Sequence, residues 1–156
     1  MLPHLEAGSA FATCAPRLDW WLRILLMAVG GLTIALLITA ACLPPSPNGF
    51  GTHQQLGLPP CSLKLLVGIR CPSCGMTTSW AHMLRGHVLQ SFASNSGGAL
   101  LALAACMGGP WALLSGLRGR WLGGIPNEWT FAGLSLAIMA ITLLDWSVRL
   151  YIEHGR

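Results

Sequence analysis

Apolar residues in this chain gather into three long blocks instead of recurring with the period of a soluble amphipathic fold. The first covers 24–43, twenty residues without a charge. At 1.5 Å per residue that length crosses about 30 Å of hydrocarbon. The second covers 98–117, and it is interrupted by Gly108, Gly109 and Pro110. Pro110 cannot donate to the carbonyl of Cys106, which predicts a kink. The third, 129–146, has eighteen residues, roughly 27 Å of helix and a short but adequate span. Aromatic and cationic residues flank the blocks, with Trp20, Trp21 and Arg23 before the first, Arg118, Arg120 and Trp121 after the second, and Trp129 and Trp146 around the third. Such residues belong at headgroup level. Asp145, beside Trp146, Arg149 and Tyr151, is expected at that boundary, paired with Arg149 one helical turn on, in preference to a buried functional carboxylate. Only structures that satisfy their own backbone cross lipid. The pattern therefore predicts an all-α integral membrane protein with three transmembrane helices.

Between the spans the pattern changes. Residues 1–23 form an N-terminal tail, and 44–75 a loop in which Pro44, Pro45, Pro47, Asn48, Gly49 and Gly51 each disfavour a regular element. A cysteine module occupies the end of that loop. An amphipathic helix is predicted over 76–94, with Thr77, Thr78 and Ser79 offering N-cap oxygens. Trp80, Met83, Leu84, Val88 and Phe92 would share one face, with His82, Arg85 and Gln90 opposite, as in a helix lying in the interface or packed on the bundle. Residues 147–156 read as a C-terminal tail. Thr39, Ala40, Ala41 and Cys42 loosely match a signal-cleavage site, but the preceding block is longer than a signal's apolar region, which favours a span. Small residues four apart, Gly31 with Ala35, Gly98 with Ala102, Ala105 with Gly109 and Gly133 with Ala137, suggest close helix approach and self-association.

Composition narrows the function. Of the 156 residues 53% are hydrophobic and only 9% charged, against roughly a quarter charged in soluble domains. The net charge of +4 is scattered without a basic run, which argues against nucleic-acid binding. No Asp or Glu occurs between Asp19 and Glu128, which removes paired-carboxylate catalysis and oxygen-rich calcium or magnesium sites from the middle of the chain. No Ser or Cys has a recognisable His and carboxylate set, and no phosphate-binding loop is present. Arg17, Arg23, Arg118 and Arg120 hug span ends on one side; on the other, Arg85 and Arg149 are near and Lys64, Arg70 and Arg156 more remote. This balance predicts a multi-pass protein of the cell membrane with its N-terminus in the cytoplasm. The expected surroundings are the lipid bilayer and a second copy or another membrane protein.

The chemistry lies in the cysteines. Of Cys14, Cys42, Cys61, Cys71, Cys74 and Cys106, three form C-x9-C-x2-C. In C-x2-C two thiolates can meet one metal or bond to each other, and Gly75 lets the backbone turn round the second sulfur. Lys64, Arg70 and the start of the following helix would favour thiolate over thiol. One reading is a metal site at Cys61, Cys71 and Cys74, with zinc the default and no other cofactor. Its fourth ligand is open: Cys106 should lie too deep and Cys14 across the membrane, which leaves Cys42, His53, His82 or His87, none singled out by spacing. His82 and His87 read first as interfacial or packed histidines. A second reading is a membrane thiol-disulfide oxidoreductase in which Cys71 and Cys74 cycle and Cys61 resolves, although no thioredoxin-like alternation surrounds them. The third is that the cysteines only brace or pack the loop.

Cys61, Gly68, Cys71, Pro72, Cys74, Gly75, Thr77, Leu84, Gly86 and Asn95 together resemble the signature of a family of small bacterial integral membrane proteins known as a domain of unknown function, with a C-P-x-C-G-x-T-R-like core. The resemblance covers about 61–98, a quarter of the chain. Thr78, His87 and Ser96 stand where the family commonly has Arg, Asp and Pro. The resemblance implies a polytopic membrane protein with the cysteines as its hallmark, and it implies no activity. The leading expectation is a non-enzymatic membrane protein whose cysteine loop binds a metal or braces a contact with another membrane protein.

Overall fold

A computed structural model describes residues 17–123 and 127–154. The elements in chain order are α1 (Trp20–Cys42), a 3-10 helix (Thr52–Leu56), α2 (Ser62–Val67), α3 (Met76–Met83), α4 (Val88–Ser94), α5 (Ser96–Arg118) and α6 (Glu128–His154). Among the described residues the only extended pairing is an isolated antiparallel bridge between Arg17 and Arg120. Helices α1, α5 and α6 are long and apolar enough to cross a membrane, so the chain is an all-α membrane protein with three spans. Cys14 and Arg156, used in the sequence reading, lie outside the described residues.

Helices α1 and α5 form the core of the bundle as an antiparallel pair. Small residues bring the backbones together: a Cβ on Gly30 would meet the Leu113 backbone, one on Gly116 the Arg23 carbonyl, and one on Gly109 the Thr33 side chain. Gly31, expected at the close approach, has open space around it, and so has Gly133; the interface runs one residue earlier along α1. One end of the pair is sealed by polar groups. Arg23 donates from Nε to the Gly116 carbonyl at 3.2 Å and from Nη2 to the Leu117 carbonyl at 3.4 Å, and the Leu18 amide donates to the Gly119 carbonyl. These donors add to the capping of the carbonyls at the end of α5, where the Gly119 amide also donates to the Gly116 carbonyl. Trp20, Trp21 and Arg23 thus belong to the first turns of α1. Helix α5 continues as one element through Pro110.

At the opposite end the single helix expected over 76–94 is two helices, α3 and α4, joined by a tight turn. The His87 amide donates to the His82 carbonyl and the Gly86 amide to the Met83 carbonyl, the paired bonds of a Schellman termination. Gly86, at φ +76°, supplies its left-handed residue. The turn folds α4 back on α3 and brings hydroxyls inward. Ser91 donates to the Ser79 carbonyl at 2.8 Å and Ser79 to the Asn95 carbonyl at 3.1 Å. Thr78, Ser79 and Ser91 are fully buried while Val88 and Leu89 face outward; Trp80, Met83, Leu84 and Phe92 are half-buried and Arg85 and Gln90 exposed, so the predicted apolar face departs at Val88, and the innermost positions are hydroxyls. Small hydroxyls satisfy one another there and let the backbones approach closely. Thr78 and Ser79 lie inside α3, and its N-cap is Gly75. Arg85, expected on a solvated face, donates to the Ala41 carbonyl at 2.9 Å and closes the end of α1.

Helix α6 extends well past residue 146, where the third span was expected to end. Its 27 residues measure about 40 Å, and the residues read as a C-terminal tail are helical as far as His154. The added turns carry groups with partners off the helix. Arg149 pairs with Asp145 at 3.0 Å, as expected from their spacing, and donates to the Ser94 carbonyl at 2.7 Å. The Asp145 carboxylate also accepts from the Ser96 amide at 3.4 Å. Gly97 of α5 leaves no room for a side chain against Thr142. Beyond these contacts α6 is exposed along its apolar length.

Candidate metal centre

The segment 44–75 is more ordered than a plain loop. Gly51 and Gly57, at φ +88° and +75°, bound the 3-10 helix, and Gly68 at φ +76° ends α2. Cys61 lies just before α2, whereas Cys71 and Cys74 occupy a turn in which the Cys74 amide donates to the Cys71 carbonyl at 3.0 Å. Gly75 follows with φ +89°. A Cβ there would lie 2.6 Å from the Ser94 carbonyl oxygen and 2.8 Å from that of Gly49, so glycine is required both for conformation and for space. The sharp turn expected after the second sulfur is present.

The loop is fastened to both later spans. Asn95 caps α5, its Oδ1 accepting from the Gly98 amide at 2.6 Å. Its Nδ2 donates to the carbonyls of Pro72 at 2.9 Å and Cys74 at 3.1 Å. One side chain thereby starts the second span and holds the C-P-S-C turn. From α6, Trp146 Nε1 donates to the Arg70 carbonyl at 2.6 Å, and Glu153 pairs with Arg70 Nε at 2.9 Å. Asn95 entered the sequence reading only as a matching position. Its local signal was an Asn directly before a helix-forming apolar block, the usual N-cap choice; its hold on the cysteine turn had no local signal.

The three sulfurs of Cys61, Cys71 and Cys74 lie within 4.8 Å of one another. Each is half-buried and free of a disulfide. Cys71 and Cys74 are 3.3 Å apart at sulfur, and Cys71 also lies 3.2 Å from the Ser73 hydroxyl. Sulfurs round a tetrahedral zinc at about 2.3 Å are separated by about 3.8 Å. The arrangement could hold a metal ion. Among the described residues this is the only group of three or more His, Cys, Asp or Glu ligand atoms gathered in this way.

The sulfurs are electrostatically unequal. The backbone amide of Lys64, followed by the Cys71 thiol, lowers Cys61 from 9.0 to about 7. Burial, followed by the Cys71 thiol, raises Cys74 to about 12. At Cys74 burial thus opposes the thiolate that the following helix was expected to favour. Both nearby cations stack on one ring: Lys64 Nζ sits 3.7 Å and Arg70 Cζ 4.4 Å from the centre of the Phe50 ring.

A cavity of about 260 Å³ opens beside Cys61 and Cys74, its wall including His53, Gln54, Lys64 and Gly75. His53 thus shares a cavity wall with Cys61 and Cys74. His82 and His87 do not line this cavity; their rings lie 5.9 Å apart between centres, tilted by 50°. Nδ1 of His82 is buried without a hydrogen-bond partner. Burial, with His87 and Arg85 adding to it, lowers the His82 pKa. Cys42 is exposed at the end of α1, and Cys106 is half-buried within α5.

Fold and site together define a three-span helical membrane protein with a cluster of three cysteines in a structured loop fastened to the second and third spans. Residues 61–109 of the chain match the model of the family described as Protein of unknown function (DUF2752). The matched segment begins at Cys61 and takes in the whole cysteine cluster, α3, α4 and the first half of α5. No curated protein and no solved structure matches the chain.

Proposed function

We propose that the protein holds one soft divalent metal ion, zinc by default, through Cys61, Cys71 and Cys74 at the membrane surface. In this reading the metal stiffens the loop as a contact surface for a second copy or for another membrane protein, and the protein is not an enzyme. The observation that carries it is the convergence of three free sulfurs within 4.8 Å across fourteen residues of chain, which thiolate-preferring metals reward. The distribution of Arg at the span ends supports a cytoplasmic N-terminus in the cell membrane, which places the cluster outside. Outside the cytoplasm free thiols oxidise, and a bound metal keeps them reduced.

The second reading is a thiol-disulfide oxidoreductase, favoured by the 3.3 Å between the Cys71 and Cys74 sulfurs. Elemental analysis of the detergent-purified protein with a thiol count decides between them. One metal per chain, with three thiols unreactive until a chelator is added, is expected. A metal-free protein that loses two thiols reversibly on oxidation would overturn the metal reading in favour of redox chemistry. Orientation is tested separately by labelling a single cysteine introduced into 44–60 of a chain lacking its native ones. Labelling from the cytoplasmic side in intact cells would reverse the topology.

A further inference from the structure

We propose that His53 is the fourth ligand, completing a three-sulfur, one-nitrogen site; this rests on the metal reading above. The spacing of the sequence left Cys42, His53, His82 and His87 equal. The fold separates them, because His53 alone of the four lines the cavity that Cys61 and Cys74 also line.

Its backbone is held in place by its neighbours. Thr52, the preceding residue, is fully buried, accepts from the Ser46 amide at 3.0 Å and meets the Thr78 hydroxyl at 2.8 Å. That bond joins the 3-10 helix to α3, the helix that starts immediately after Cys74 and Gly75. The ring nitrogens of His53 are not among the atoms within 4.8 Å of one another, so ligation requires the ring to move toward the sulfurs across the cavity of about 260 Å³ that it shares with Cys61 and Cys74. The charges also suit the set. Three thiolates, a neutral imidazole and a divalent ion sum to one negative charge, and Lys64 stands in the same cavity wall. A set of three Cys and one His is an established zinc coordination.

The test uses full-length protein in detergent, loaded with zinc for X-ray absorption and with cobalt(II) for optical titration. Wild type should show three sulfurs and one nitrogen. His53→Ala should keep three sulfurs, replace the nitrogen by a water oxygen, and weaken cobalt binding by more than about ten-fold, since even outer-shell partners are worth ten- to hundred-fold. Gln55→Ala, in the same 3-10 helix but outside the cavity wall, should bind as wild type, and circular dichroism of both variants checks that they fold. If wild type binds metal but His53→Ala shows the same spectra and affinity, His53 is not a ligand and the three-cysteine reading survives. If wild type takes up neither metal, both fall.

Discussion

Gly30 and Gly31 are neighbours in α1 with opposite surroundings, and substituting each by alanine separates packing from helix propensity. A Cβ on Gly30 would lie 2.5 Å from the Leu113 amide nitrogen, 2.8 Å from the Gly109 carbonyl oxygen and 2.9 Å from Leu113 Cα. All three are backbone atoms of α5, so no side chain can swing aside. Ordinary contact begins at 3.4 Å; relieving the worst overlap moves the helices apart by about 0.9 Å, and overpacking of this kind costs about 1–3 kcal/mol. The rigid obstacle argues for the upper half of that range. Alanine returns up to about 1 kcal/mol of helix propensity, leaving Gly30→Ala destabilised by about 1–2 kcal/mol, or roughly 5- to 30-fold in the folding equilibrium. A Cβ on Gly31 meets nothing within 4 Å, so Gly31→Ala should be neutral or more stable by up to about 1 kcal/mol. Reversible unfolding in mixed micelles, followed by the fluorescence of the stacked Trp111 and Trp121, measures both. Equal stabilities, or a larger loss at Gly31, would refute the placement of the α1–α5 interface.

Three further outcomes are expected. Serine at Cys61, Cys71 or Cys74 should lower bound metal to a similar extent, because a missing thiolate leaves an incomplete shell, whereas alanine at exposed Cys42 or at Cys106 in α5 should leave the metal content unchanged; elemental analysis of all five variants reads this, and graded losses across the five would leave only packing. Metal affinity should rise with pH, and its logarithmic slope should fall by one proton as pH rises through about 7. Below that value Cys61 and Cys74 both release a proton on binding, while above it Cys61 is already ionised and Cys74, at about 12, still carries its own; chelator competition across the pH range measures the slope, and Cys61→Ser should abolish the change. Stability should fall as pH drops below 6.5, since the folded His82 pKa is lowered from that value by burial, His87 and Arg85. A depressed value means that the unfolded chain binds the proton first, so unfolding midpoints should decline toward acid in wild type and less so in His82→Asn.

The three spans and the special status of Cys61, Cys71 and Cys74 were legible from the chain itself, for a local reason. Length, apolarity and flanking aromatics are properties of contiguous residues, and lipid leaves a helix as the only outcome for an isolated apolar block. The Asp145–Arg149 pair was legible likewise, because one helical turn sets its distance. Other features were visible only as short signals that their neighbours obscured. Gly86 terminates α3, but the apolar period running through it from Trp80 to Phe92 suggested continuity. What tertiary structure alone decided depends on contacts between distant residues. Gly30 and not Gly31 meets α5, because the rotation of a span about its axis is set by its neighbour when both faces are apolar. The α3–α4 hairpin turns its serines inward because Ser79, Ser91 and Asn95 satisfy one another, an outcome that an amphipathic pattern cannot foresee. Helix α6 outlasts its apolar block because Arg70 and Ser94 wait for Glu153 and Arg149. His53 reaches the cysteine cavity because the buried Thr52–Thr78 bond joins segments 26 residues apart, a distance over which no spacing rule operates.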